Sequence, residues 1–444
     1  MLAGLLSTLP SLARAGNDDS ILLGNDAALT AGAVVATVND GSALWYNPAG
    51  LATVNDDSVD VGATALALRT YRIRGLIATD SGASADANFT EFLSIPSAVT
   101  WARRIDERSA FGVGLFASRI NDFTLRTAID FPVRAGGVDV DASALSVRSG
   151  EDARYHAALG YAIALPRGFA IGASLVGDYR SVGLSSIETF SLGVQGTTIA
   201  SGNQALLIEQ TMYGFHARIG VTYAPTSRVR LGLSLETPSA YFRRVTRVTG
   251  ADTTSVLQTQ EENPLGAELS SESDDVTDSK WGFGMVMPLR VRFGGAVRVG
   301  DGTISLEGDV ASKLDENELE ERRRVNWNVR AGARFPVSES LSLGAGFFTD
   351  RGPERRDESG AGVVDFYGGT VGFEWQKGRW LASETADAPR DRLTFSTTGA
   401  LRYAYGSGKF AGSRLDAPDY EAKAHAAEIH VHEVTVHIGS GLYF

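Results

Sequence analysis

The chain has 444 residues, 43% of them hydrophobic and 21% charged, with a formal net charge of −12 and no cysteine. Without cysteine there are no disulfides, thiolate metal sites, iron–sulfur clusters or thiol nucleophiles. The acidic balance excludes the basic face of a nucleic-acid binder, and no apolar run reaches the roughly 18 residues of a transmembrane helix. The 50 glycines exceed the roughly 7% of ordinary usage, yet no Gly-X-Y period exists, and 20 Phe, 13 Tyr and 6 Trp argue against disorder.

Residues 1–15 read as a signal peptide. An apolar stretch runs from Leu2 to Leu12, and Ala13-Arg14-Ala15 offers an A-x-A cleavage site before Gly16, although no basic residue follows Met1. Residues 16–57 form a separate segment. It contains a small-residue helical stretch from Asp26 to Ala33 and then Trp45-Tyr46-Asn47-Pro48-Ala49-Gly50-Leu51-Ala52. Pro48 fixes its φ and donates no backbone hydrogen bond, and Asn47 favours a turn closed by its own side chain. The result is a rigid turn anchored by two aromatic rings, suited to wedging a plug against a wall.

From residue 58 onward, apolar and polar residues alternate with the period of two that marks a half-buried strand. In Leu289–Val299 one face is Leu, Val, Phe, Gly, Val and Val, while Arg290, Arg292 and Arg298 occupy the other. The same alternation recurs in about fourteen segments: 58–69, 93–104, 109–120, 153–165, 168–180, 210–224, 228–237, 285–300, 302–313, 324–335, 340–350, 363–376, 391–405 and 428–444. Connections alternate between long polar loops (121–152, 181–209, 238–284) and tight turns such as Asp106-Glu107 and Pro166-Arg167, with a longer turn expected at 377–390. Long external loops and short periplasmic turns are the pattern of an outer-membrane barrel. The expected fold is all-β: an antiparallel transmembrane β-barrel of about 14 strands over residues 58–444, with a small N-terminal helical plug. Trp101, Tyr155, Tyr179, Tyr223, Tyr403 and Tyr405 suit the interfacial girdles. The terminal Phe444, with apolar residues at alternate positions before it, resembles the signal read by the outer-membrane assembly machinery.

The Asn47-Pro48-Ala49 motif, preceded by aromatics and followed by Gly50-Leu51-Ala52, closely resembles the hallmark of the long-chain fatty acid transporter family (FadL) and its aromatic-hydrocarbon, TodX-like relatives. Met287-Pro288-Leu289-Arg290-Val291 and Leu341–Gly346 also look like strand beginnings of that family. The resemblance implies a plug closing the lumen, a kinked strand and a lateral opening. It further implies passive uptake of a hydrophobic molecule in the outer membrane, released sideways into the bilayer without ATP, redox chemistry or a cofactor.

Candidate site residues follow. Trp45, Tyr46, Asn47, Pro48, Ala49 and Gly50 form the plug motif. Leu184, Ile187, Phe190, Leu192, Leu206 and Leu207 give the third external loop an apolar character that fits either a capture surface for substrate or a small lid core. Arg218, Arg290, Arg292 and Arg330 face the lumen, where each can hold a carboxylate or pair with acids such as Glu236, Glu307 and Asp309 or with the plug. Acidic residues in 250–278, from Glu261 to Asp278, read as a solvated face or a divalent-cation site beside lipopolysaccharide.

No catalytic residue is expected. Gly112–Ala117 echoes a dinucleotide fingerprint but sits inside a strand, and no G-x-S-x-G occurs. His430 and His432 share a face read as lipid-facing rather than metal-binding. The expected partners are a hydrophobic small molecule, outer-membrane lipid and lipopolysaccharide, with the barrel a monomer. A general porin and a structural or adhesive barrel are the alternative readings.

Overall fold

The computed structural model describes residues 21–79, 82–135, 138–194, 197–260, 263–315, 323–354, 363–380, 392–416 and 421–444. The expected signal peptide and the first residues of the plug segment lie outside this range. The plug segment folds as two short helices, α1 (Asn25–Leu29) and α2 (Ala43–Tyr46), followed by a 3-10 turn at Pro48–Thr53.

The strands follow: β1 (Ser58–Thr79), β2 (Ser84–Arg104), β3 (Ser109–Ala135), β4 (Val138–Leu165), β5 (Phe169–Val194) and β6 (Thr197–Tyr223). Next come β7 (Val229–Glu236), β8 (Ser239–Gln260), β9 (Asn263–Met287), β10 (Arg290–Val299) and β11 (Gly302–Ala311). The last five are β12 (Asn326–Pro336), β13 (Leu341–Asp350), β14 (Val363–Trp380), β15 (Arg392–Asp416) and β16 (Glu421–Tyr443).

Ring neighbours are antiparallel. The wall runs from β1 to β7, crosses to β10 and continues to β16, which pairs with β1 and closes it. This is a closed barrel of fourteen wall strands, as the alternation predicts. The two extra segments are outward continuations of wall strands. β7 breaks before β8 at Thr237-Pro238, and β9 breaks before β10 at Pro288-Leu289. Proline has no N–H to give a ladder, so each strand resumes only after an interruption.

Outward positions near the short turns are apolar and open to the surroundings, with Leu115, Leu159, Leu175, Leu306 and Val371 all between 57% and 61% exposed. Such a belt is untenable in water but is the lipid-facing band of a transmembrane barrel. The chain is an outer-membrane barrel.

The expected long loops need correction. Residues 121–135 and 138–152 continue β3 and β4, 181–194 and 197–209 continue β5 and β6, and most of 238–284 is the β8–β9 hairpin. In 121–131 the alternation continues, but the apolar residues Phe123, Leu125, Ile129 and Phe131 take the inner, buried face while Asp122, Thr124, Arg126 and Asp130 are exposed. The expected turn at 377–390 is shortened by β14, which runs on to Trp380, and residues 381–391 lie outside the described range.

Two apolar cores fill the barrel. Near the short turns, Leu23, Val34, Leu44, Trp45, Tyr46 and Leu51 of the plug pack on Ala98, Ala102, Phe116, Ala158 and Ala162 of the wall. Toward the other end, Phe123 and Leu125 of β3 join Tyr71 and Ile73 of β1, Phe348, Phe366, Phe410 and Ile429 in a second cluster. The upper part of β3 thus leans inward across the mouth, and Arg148 of β4 reaches Ser413 of β15 with a 3.0 Å hydrogen bond.

Candidate functional site

The plug motif is locked to the wall through its backbone. Asn47 Oδ1 accepts from Ala49 N–H at 3.2 Å, closing the expected turn, while Asn47 Nδ2 donates to Val35 O at 2.7 Å and to Val221 O of β6 at 3.2 Å. Asn47 and Ala49 are fully buried. Opposite them the wall is glycine. A Cβ at Gly220 would collide with Asn47 Oδ1, and one at Gly172 with the Pro48 carbonyl. These glycines serve close approach of the plug rather than strand curvature.

Glu307 of β11 accepts from the N–H groups of Val34 and Val35 at 3.0 and 2.8 Å, and Arg334 of β12 meets Asp26 at 2.5 Å. In the plug, Asp40 accepts from the N–H of Ser42 at 2.8 Å. Burial, with the charge of Asp26 adding to it, pushes the Asp40 carboxyl up to about 6.

The four lumen arginines are buried and engaged as the pairing alternative anticipates. Arg218 meets Glu236 at 3.2 Å and lies 3.8 Å over the Trp45 ring, and Arg292 stacks over Tyr46 at 5.4 Å. Arg330 bridges Glu307 and Asp309, and Arg290 lies 3.9 Å from Asp309. Arg218 and Arg292 thus meet plug rings, whereas Arg290 and Arg330 pair with acids of the wall strand β11.

The six apolar residues of the expected third loop do not form one surface. They lie on paired strands, with Leu184 opposite Ile208 and Ser186 opposite Leu206. Leu206 packs against the upper cluster, and Phe190 and Leu192 pack with Ile77, Ile129 and Phe131. Leu184 is buried, whereas Ile187 and Leu207 are exposed. The side chains of Glu261, Glu262, Glu268 and Glu272 lie outside the described range. Asp275 and Asp278 pair with Arg247 and Arg244 of β8.

One seam of the wall is open. β2 and β3 pair only from Arg104↔Ala110 to Ala98↔Phe116, although both strands continue well beyond that point. Each carries a register irregularity just there: β2 skips Ser97 against β1, beside Pro96, and β3 skips Ser118 against β4. Bulges bend a strand and end pairing, and Pro96 has no N–H to offer.

The gap opens a groove of about 950 Å³ whose lining includes Val99, Leu115, Tyr155, Leu175, Phe215 and Phe242. Several of these residues belong to the lipid-facing belt, so the groove faces the bilayer. Tyr155, Tyr179 and Tyr213 run side by side along it, with ring centroids 6.2 and 5.3 Å apart. Behind the groove stands the plug, where Trp45 packs on Phe116 at 5.6 Å and on His156 at 4.8 Å.

Sequence reasoning missed this seam and the polar residues behind it: Ser118, His156, Asp178 and His216. The one available signal is that each is a polar residue on an inward face within otherwise apolar strands. His430 and His432 do face outward, bonded to Tyr405 and Tyr403. Among the described residues no cluster of His, Asp or Glu is arranged to hold a metal.

A closed barrel, an N-terminal segment seated on wall glycines inside it and a membrane-facing gap in one seam define an outer-membrane barrel with an occupied lumen. The fold is that of the FadL/TodX type. The chain is similar to a Pseudomonas aeruginosa FadL homologue (13% identity, TM-score 0.56, 96% of this chain and 99% of that one). It is likewise similar to the CymD monoaromatic hydrocarbon channel (13%, TM-score 0.52, 95% and 97%) and to the Pseudomonas putida toluene transporter TodX (13%, TM-score 0.51, 91% and 94%). The last two are described as a channel and a transporter. No family model matches the sequence, and no curated protein does.

Proposed function

We propose that this barrel takes up hydrophobic small molecules, long-chain fatty acids or related lipophilic compounds, and releases them laterally into the outer membrane through the β2–β3 gap. The observation that carries this reading is the 950 Å³ apolar groove that opens toward lipid and is backed by the plug. An apolar solute gains free energy at about 25 cal/mol per Å² on leaving water for such a surface, so passage needs no coupled energy source. The apolar cluster across the mouth and the plug below it argue against a water-filled porin. The likeness to a monoaromatic hydrocarbon channel and a toluene transporter supports hydrophobic cargo. Arg218 and Arg292 hold the plug in this reading, Arg290 and Arg330 brace the wall beside it, and the inward-facing Leu184, Phe190, Leu192 and Leu206 act as a lid.

The test is uptake of labelled toluene and oleate by cells and proteoliposomes carrying the protein. Gly177 lines the groove, and a Cβ added there stays 3.8 Å from Ala157 O, so the backbone at this position accepts a side chain and Gly177→Trp puts bulk at the groove wall. Uptake is expected to fall about tenfold, the factor that 1.4 kcal/mol corresponds to. Unchanged uptake of both compounds sinks the lateral route. Steady ion conduction in planar bilayers favours the porin instead.

A further inference from the structure

Immediately behind the gap, a chain of short hydrogen bonds links side chains of five strands, β3, β4, β5, β6 and β8. Ser118, the bulged residue of β3, has its Oγ 2.7 Å from His156 Nε2 on β4. His156 Nδ1 lies 2.7 Å from Asp178 Oδ1 on β5. The other carboxylate oxygen takes His216 Nδ1 at 2.8 Å and the Ser239 hydroxyl at 2.7 Å. An ionised carboxylate only accepts, so both Nδ1 atoms carry protons. A neutral His156 then presents Nε2 as the acceptor for the Ser118 hydroxyl. This is the order of nucleophile, general base and orienting acid that activates a serine.

The surroundings match the chemistry. A cavity of about 60 Å³ is lined by Ser118, His156 and His216 together with the guanidinium-bearing Arg154, Arg180 and Arg290. Fixed positive donors beside a nucleophile are what a developing oxyanion requires. His156 and Asp178 also line the apolar groove, which is of a size to hold an acyl chain. Trp45 of the plug lines the small cavity too, so the plug forms one wall of the site.

We propose that Ser118, His156 and Asp178 form a hydrolytic site for carboxylic esters of hydrophobic acids arriving through the groove. Ser118 Oγ attacks the carbonyl carbon while His156 Nε2 takes its proton. The ester C–O bond breaks, and His156 returns the proton to the departing alcohol. Water then attacks the acyl-serine carbon and gives a proton to His156, which passes it to Ser118 Oγ as the carboxylic acid leaves. Asp178 is the positioning residue, holding the imidazole in the required tautomer.

The test uses the full barrel folded in detergent, with folding checked by heat-modifiable migration in gels. The probes are a fluorophosphonate and the p-nitrophenyl esters of butyrate and octanoate. One fluorophosphonate adduct per chain is expected, mapped by mass spectrometry to Ser118. Hydrolysis is expected to fall by roughly 10²–10⁴-fold in His156→Ala and to the protein-free rate in Ser118→Ala. Asp178→Asn is expected to move the pH profile as well as the rate. The wild-type labelling needs no variant to fold: no adduct at Ser118, or equal hydrolysis by wild type and folded Ser118→Ala, overturns the proposal. Because the assay involves no passage across a membrane, its failure leaves the transport reading standing, and a failure of uptake leaves the hydrolytic one.

Discussion

The β4–β5 and β2–β3 seams are built from the same kinds of residue and end differently. The first runs in unbroken register from Leu165↔Phe169 out to Asp141↔Gly193. The second stops at Ala98↔Phe116, and the strands diverge. Average composition does not separate them. Two misplaced residues and a proline do: Ser97 and Ser118 each break the register, and Pro96 withholds a donor at the same level. A barrel wall has no free edge except where such devices are placed, and here the local defect in pairing opens the groove between β2 and β3.

Experiments that add bulk distinguish the seams most sharply. Gly177→Trp at the open seam should cost about tenfold in uptake, while Leu401→Trp, on the lipid face of the fully paired β15, should leave uptake and folding unchanged. An equal loss from both means the groove has no special role.

A smaller effect is expected from the plug behind the gap. Asn47→Ala removes the bonds to Val35 and Val221 and leaves two carbonyls short of a donor. A loss of about 1–3 kcal/mol of plug docking is expected. Limited proteolysis of the plug segment in the folded barrel reads this, and resistance equal to wild type contradicts it.

Hydrogen exchange gives a finer measure. Backbone amides of β2 beyond Ala98 that point toward β3 should exchange faster than those at the same level of β5. Pro96→Thr, which restores an N–H, should slow exchange in the neighbouring part of β3 if the missing donor helps to hold the seam open.

The smallest effect is on pH. The folded protein holds the Asp40 proton up to about pH 6, whereas the unfolded chain releases it near the ordinary carboxyl value of 3.8. The buried charge is therefore absent from the folded state at low pH, and plug docking should weaken as pH rises through about 6. Asp40→Asn, which keeps an acceptor for Ser42, should flatten that dependence in the same proteolysis assay. A steeper dependence in the variant rules out Asp40 as its source.

Much of the architecture is a local property and was legible in the chain itself. Alternation such as that of Leu289–Val299 reports which side of a strand meets lipid. It therefore yields the strand count, the lumen-facing arginines and the outward histidines. The turn at Asn47-Pro48 follows from the stereochemistry of two residues. In 121–131 the alternation continues with Phe123, Leu125, Ile129 and Phe131 on the inner rather than the lipid face, so a pattern sought on the lipid side passes over these strands and they read as loops. The apolar side chains from Leu184 to Leu207 were legible as a group, but their division between lid and exterior depends on which strand each faces.

What the sequence determined by itself was the barrel, its even number of strands and the plug motif, because each rests on side-chain periodicity or on one rigid turn. Only the tertiary structure decided which glycines seat the plug, which seam stays open and which polar side chains meet behind it. Those are relations between residues far apart in the chain, such as Ser118, His156 and Asp178 on three neighbouring strands. They depend on register across strands, and a bulge of one residue resets that register without leaving any periodic mark in the sequence.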